Sequence, residues 1–289
     1  MAWLYVLAVL MLIAFVFLLA VKPNKGRETR LAVMYAHRGY HDDGHPENSL
    51  AAFRLAKQCG LGVELDVQLT RDKKLVVFHD KNLSRMTGID KDLCNTDFAE
   101  LETYRLAGGD ERIPLYSEVL ETLGDVPVLC EIKTYTGNAN CEACPEILDL
   151  AAGYRGDIVY EAFSPYILKW LRQNRPDVIR GQLSQDFFRH GGLSGAPAFA
   201  LGNLLTDFMA RPDFIAYNFK DRSLGLAAAR LLGAETAAWT IRSPEEIEKA
   251  AELGYTSFIC EGFSLEKELY AVGHECENVN AYPLQEGAQ

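Results

Sequence analysis

The sequence predicts an α/β barrel, eight parallel strands ringed by helices, preceded by one apolar helix at the N-terminus. Three observations predict it. Ala2–Val21 is an unbroken apolar run unlike anything after it. Beyond it, short β-rich segments alternate with helical patterns, and no second linker interrupts them. Removing residues 1–22 from the 289 leaves 267, which suits a single (β/α)8 unit. A doubly wound sheet is the runner-up.

The apolar run comes first. At about 1.5 Å of rise per residue, a helix over Ala2–Val21 spans the roughly 30 Å hydrocarbon core of a bilayer. A cleaved signal peptide is the competing reading. No basic segment precedes the run, however, and it ends Leu18-Leu19-Ala20-Val21-Lys22 without an Ala-x-Ala-like site. We therefore expect an uncleaved, single-pass anchor over residues 1–22 and a polar tether over 23–30. Lys22, Lys25, Arg27 and Arg30 follow the run and no Lys or Arg precedes it, so the positive-inside rule puts the domain of residues 31–289 in the cytoplasm. Cys59, Cys94, Cys130, Cys141, Cys144, Cys260 and Cys276 form an odd set with no disulfide-framework spacing, and reduced thiols agree with that placement.

Nine segments read as strands: 33–37, 62–67, 75–79, 126–132, 157–160, 178–182, 214–217, 236–239 and 256–260. Only residues 68–74 separate the second from the third, too few for a crossover helix, so this pair is expected to be a hairpin. One of its members is then an arm and not a stave. Residues 48–59 read as a helix with Asn48 or Ser49 as N-cap and Gly60 at its C-terminus. Ser243-Pro244-Glu245-Glu246 starts another, with Pro244 at the first helical position and acids in the first turn. The long irregular stretch 81–125 reads as an insertion capping the barrel mouth.

Composition narrows the function. Apolar residues at 48% and charged residues at 24% exclude wholesale disorder. With 29 Lys and Arg against 40 Asp and Glu, the net charge is −11, which gains little from counterion release and excludes general nucleic-acid binding. An acidic domain fits a small-molecule enzyme or one that collects cations in a carboxylate-lined cleft.

The candidate chemistry sits at strand ends. Glu64 and Asp66, two apart on one strand, point to the same face. Two acids on the inward face of an apolar strand repel unless something cationic joins them, and a hard divalent cation is the natural partner. An edge strand with its acids in water is the blander alternative. Glu131 and Lys133 repeat the spacing at the end of another apolar run, where Glu131 completes a three-carboxylate set and Lys133 adds a positive charge for an anion. His37-Arg38-Gly39 closes the first strand. Gly39 permits a tight turn, and Arg38 suits bidentate contact to phosphate. His79 ends the third run, giving a second histidine and hence one acid and one base.

In order, His37-Arg38-Gly39, Pro46-Glu47-Asn48-Ser49, Glu64-Leu65-Asp66, Val76-Val77-Phe78-His79-Asp80, Glu131-Ile132-Lys133 and Trp239-Thr240 resemble the glycerophosphodiester phosphodiesterase family. The resemblance runs from about residue 35 to residue 260 and implies a distorted TIM barrel, shared with phosphatidylinositol-specific phospholipase C. It implies metal-dependent hydrolysis of a glycerophosphodiester to sn-glycerol 3-phosphate and an alcohol. By position it makes Glu64, Asp66 and Glu131 the ligands of one divalent cation, Ca²⁺ or Mg²⁺. His37 and His79 match the acid/base pair, Arg38 and Lys133 the phosphate contacts, and Trp239 the wall on the glycerol side. Glu47 and Asn48 are expected to hold the His37 loop.

Departures bear on the substrate. Ile241-Arg242 stands where the family often has Val-Asn, Glu261-Gly262-Phe263 replaces an Asp-containing turn, and Phe163-Ser164 lies where Ser-Phe is common. Cys141-x-x-Cys144 reads as a loop of thiols in preference to half a zinc site. The expected partners are a small-molecule glycerophosphodiester and a membrane. A lysophospholipase D or phospholipase C-like lipid phosphodiesterase is the same-fold rival, and a non-catalytic binding barrel is the rival of another class.

Overall fold

A computed structural model describes residues 1–24, 26–135 and 140–263. Nine strands follow in order: β1 Met34–Ala36, β2 Gly62–Leu69, β3 Leu75–Val77, β4 Val128–Ile132, β5 Ile158–Ala162, β6 Arg180–Ser184, β7 Phe214–Asn218, β8 Glu235–Ile241 and β9 Ser257–Cys260. All pairs around the ring are parallel, and β1 pairs with both β9 and β2, so the sheet closes into an eight-stranded barrel. Closure disposes of the doubly wound alternative. The arm is β3, antiparallel to β2 with Val67 opposite Val77.

Alternation along each strand sorts the side chains. Tyr35, Leu129, Val159, Leu183, Phe214, Ala216, Ala237 and Ile259 point inward and fill the barrel as one apolar plug. Val63, Leu65, Val67, Cys130, Ile132, Tyr160 and Ala162 point outward into the larger core shared with the helices. Staves buried on both faces explain why the strands read as short apolar runs. Gly181 is required by the plug, because a Cβ there would lie 2.2 Å from the Phe214 ring.

The helix Leu50–Gln58 is capped by Ser49, whose Oγ accepts from the Ala52 amide at 3.1 Å. Asn48 is not the cap; it stands at φ 55° and its side chain serves the site instead. Pro244–Glu252 starts as the sequence indicated, with Ser243 accepting from the Glu246 amide.

Residues 81–125 contain a small core of their own, in which Leu83, Met86, Leu93, Leu101, Leu106 and Ile113 pack on Val76 of the β3 arm and on Phe78 just after it. The stretch ends in the helix Tyr116–Leu123, which packs against Leu50–Gln58 and leads into β4 as an ordinary crossover helix. Its apolar residues are thus spent inward. Among residues 81–110, Ile89 is the exposed large apolar side chain.

Ala2–Val21 is one helix, long and apolar enough to cross a bilayer. Its last turn rests on the domain. Val21 is fully buried, and the Arg211 guanidinium donates to the carbonyls of Leu19 at 2.7 Å and Lys22 at 2.9 Å.

Candidate active site

Glu64 and Asp66 project inward from β2, and the register sets Asp66 beside Glu131 on β4. One oxygen from each of the three lies within 4.8 Å of the others, and all three are buried. Lys133, just past the end of β4, closes this side: its Nζ is 2.7 Å from Glu131 Oε2 and 3.0 Å from Asp66 Oδ1. Asn48 Nδ2 donates to the other Asp66 oxygen at 2.8 Å. The expectation that Glu47 and Asn48 brace the His37 loop extends further, since Asn48 also orients Asp66 and its amide donates to the Arg38 carbonyl.

Two residues in the left-handed region bend the chain after β1. Arg38 has φ 56° and Gly39 has φ 82°. This turn aims the Arg38 amide at Glu64 Oε2, 2.9 Å away, and sets its guanidinium on Glu47 at 2.8 Å. A Cβ on Gly39 would approach Ala52 Cβ to 2.9 Å, so the position combines positive φ with a close approach.

The electrostatics are those of crowded, buried acids. Burial first, then repulsion from Asp66, Glu161 and Glu131, pushes Glu64 well above the carboxylate range. Burial also raises Glu131, against the pull of Lys133. Asp66 goes the other way: burial opposes its charge, but Lys133, His79 and Arg38 together hold it far below its usual value. Three carboxylates this close form a hard oxygen donor set that can hold a divalent cation.

Each histidine is backed by a carboxylate. His37 Nδ1 bonds to Glu261, leaving Nε2 turned to the acids, 4.0 Å from Glu64 Oε2. Desolvation lowers the His37 pKa, against the opposing effect of the hydrogen bond it donates to Glu261. His79 Nδ1 pairs with Asp80 Oδ1 at 2.7 Å. Arg85 then bridges Asp80 at 2.6 Å and Glu47 at 2.6 Å, which joins the His79 side to Arg38 through one chain of charge-assisted bonds. Glu261 also receives Arg242 at 2.7 Å and lies 3.6 Å from His41. His37, His41 and Glu261 form a second group of possible metal ligands. The acid among them is already engaged by three cationic or polar partners, so the group works as a brace for His37.

These side chains line a cavity of about 220 Å³ at the carboxyl ends of the strands. That is below the range for drug-sized ligands and suits a small polar one. Phe163 and Trp239, edge to face with ring centres 5.8 Å apart, make its apolar wall together with Leu183 and Ile259. Trp239 Nε1 is buried without a hydrogen-bond acceptor.

His37, Arg38, Glu64, Asp66, His79, Glu131, Lys133 and Trp239, the eight residues singled out in the sequence, all come together here. Asp80 and Glu261 stood in the stretches singled out in the sequence, though not as partners of the histidines, while Glu161 and Arg85 were missed. Glu161 had a signal, because Val159 and Glu161 on β5, with Phe163 just past its end, alternate inward as Glu64 and Asp66 do on β2. Arg85 had none, since its partners lie 5 and 38 residues away in the chain.

The description "Glycerophosphoryl diester phosphodiesterase family" belongs to the family model that matches residues 37–261. The chain belongs to this family. It is a family of hydrolases. A glycerophosphodiester phosphodiesterase of Caldanaerobacter subterraneus is 34% identical over 165 residues, 53% of this chain and 67% of that protein. Human lysophospholipase D GDPD1 is 33% identical over 134 residues, 40% of this chain and 42% of that protein. The chain thus spans about two fifths of the mammalian relative's length. Among solved structures, an Oleispira antarctica phosphodiesterase in complex with the product sn-glycerol-3-phosphate superposes with a TM-score of 0.67 at 22% identity, covering 84% of this chain and 96% of that one. An Agrobacterium tumefaciens structure described as a glycerophosphoryl diester phosphodiesterase gives 0.69 at 20% identity, covering 85% and 100%. At these identities the structures speak for the barrel fold.

Proposed function

We propose that the chain hydrolyses glycerophosphodiesters to sn-glycerol 3-phosphate and an alcohol, with one divalent cation, Ca²⁺ or Mg²⁺, held by Glu64, Asp66 and Glu131. The observation that carries this reading is the meeting of three buried carboxylates with two carboxylate-backed histidines at one barrel mouth. A cation bound there supplies positive charge against the phosphoryl oxygens and the attacking oxygen. The residues of the chain do the rest. Arg38 and Lys133 flank the acids and hold the phosphodiester anion. His37, kept neutral by burial and with Nδ1 given to Glu261, takes at Nε2 the proton of the attacking oxygen, which comes from water or from the adjacent glycerol hydroxyl. His79, with Nδ1 on Asp80, gives a proton to the leaving alkoxide as the P–O bond breaks. Trp239 and Phe163 form the wall against the glycerol carbons.

Ala2–Val21 is read as a single-pass anchor, with the barrel on the cytoplasmic side by the charge rule above. One observation favours a lysophospholipid as substrate, the 33% identity to a human lysophospholipase D. Against it, residues 81–110 turn their apolar side chains inward and offer little rim for an acyl chain.

The test is product analysis. The full chain in detergent is incubated with glycerophosphocholine, glycerophosphoethanolamine or lysophosphatidylcholine in Ca²⁺ or Mg²⁺. Release of sn-glycerol 3-phosphate from the first two supports the proposal. Choline release from the lysolipid alone favours the second substrate class, and no release from any of the three overturns both.

A further inference from the structure

Glu161 is a buried acid to which the reaction above gives no part. It lies on β5, beside Glu131 across the β4–β5 ladder and beside Gly181 across the β5–β6 ladder. Gly181 has no side chain to receive it. The residue is 1% exposed, lines the active-site cavity, and its Oε2 atom has no hydrogen-bond partner. Burial of a carboxylate without a partner is strongly unfavourable, and such a group in a native structure calls for a physical explanation, such as a bound water or ion.

Charge counting points to what it faces. Four inward acids, Glu64, Asp66, Glu131 and Glu161, face Arg38 and Lys133 around one cavity; Arg242, the third basic residue that lines it, is already paired with Glu261 at 2.7 Å. Fully ionised, that set has two negative charges in excess, the deficit one divalent ion removes. The three acids already assigned leave only one in excess. Glu161 does not join the group of Glu64, Asp66 and Glu131 oxygens that all lie within 4.8 Å of one another, so it stands outside the close triad.

We propose that Glu161 is a fourth acid of the cation site, reaching the ion through a bound water and setting the affinity of the site for divalent cations. This rests on the metal reading given under Proposed function. Outer carboxylates of this kind typically change metal affinity about 10- to 100-fold when removed.

The experiment is calorimetric titration of the metal-stripped full chain with Ca²⁺ and with Mg²⁺, for wild type and Glu161→Gln. The proposal expects one ion bound per chain in both, with affinity weakened at least about tenfold in the variant. It also expects Glu161→Gln to melt no lower than wild type in EDTA, and to gain less melting temperature when the cation is added. Unchanged affinity in a variant that folds would overturn the role of Glu161 and leave the triad standing. A variant that melts lower in EDTA, or does not fold, would make Glu161 a structural acid and also overturn it. Wild type that binds neither ion would instead overturn the metal reading itself.

Discussion

The Nδ1 atom of His37 is bonded to the carboxylate of Glu261, which fixes the ring so that Nε2 faces the acidic cluster. Glu261 favours the charged imidazolium, while burial disfavours it more strongly. The net shift is downward from the ordinary 6.5, so the base form of His37 persists below that pH and the acid limb of kcat/KM should fall below 6.5. Replacing Glu261 by Gln removes the contribution that raises His37. The limb should move to still lower pH and kcat should drop roughly 10²-fold, the size of a misoriented general base. A pH profile that moves upward would contradict the pairing.

The same groups set the response of stability to acid. Below about pH 6.5 the unfolded chain protonates His37 while the folded chain resists, so its contribution falls as pH falls. Glu261 is held well below its usual value by His37, His41 and Arg242, despite the opposing effect of burial, and its contribution is likewise lost on acidification. These two contributions fall on acidification, while Glu64 and Glu131, raised by burial, act in the opposite sense; Glu261→Gln lacks the Glu261 contribution and should lose less melting temperature than wild type as pH falls below about 4.5.

Trp239 is expected to act on substrate more than on the fold. It packs edge to face on Phe163 at the cavity wall, with Nε1 free of any protein acceptor. Trp239→Ala should raise KM about tenfold, equivalent to about 1.4 kcal/mol of binding, with a smaller effect on kcat. Trp239→Phe keeps the wall and loses the donor, so it should recover part of the loss. Steady-state kinetics beside a thermal melt separates the roles, since a collapse of stability would mark Trp239 as core.

Gly39 carries the turn that positions Arg38. At φ 82° and with Ala52 Cβ only 2.9 Å from where a Cβ would sit, Gly39→Ala should cost about 1–3 kcal/mol in strain and displace the Arg38 amide from Glu64. Chemical denaturation measures the first effect. An unchanged midpoint would show that the loop relaxes freely.

The barrel was readable from the sequence because burial on both faces makes each stave a short apolar run, and all nine such runs became strands. The hairpin followed from one short link, between β2 and β3. The acid triad was readable because alternation is local: Glu64 with Asp66, and Glu131 with Lys133, declare their shared face within three residues. The carboxylate behind His37 was not. Glu261 reaches His37 across 224 residues of chain, and closure of the ring at β9 and β1 is what makes them neighbours. Arg85 looked like one more charge in a polar insertion until folding set it between Glu47 and Asp80.

The N-terminal helix is tested by fractionation. The full chain should pellet with membranes and resist extraction by salt, whereas a chain beginning at residue 23 should stay in the supernatant and still turn over soluble diesters. Recovery of a mature protein cut near Val21 would make Ala2–Val21 a signal sequence.

The central claim is that the Glu64, Asp66 and Glu131 carboxylates hold a cation on which hydrolysis depends. The direct measurement is release of sn-glycerol 3-phosphate from glycerophosphocholine by the full chain after EDTA treatment, with elemental analysis of bound metal, for wild type and Glu64→Ala. The account predicts that stripped wild type is inactive and recovers with Ca²⁺ or Mg²⁺, while Glu64→Ala melts like wild type and does not recover. Full activity in a chain shown to hold no metal, or in Glu64→Ala, would contradict it.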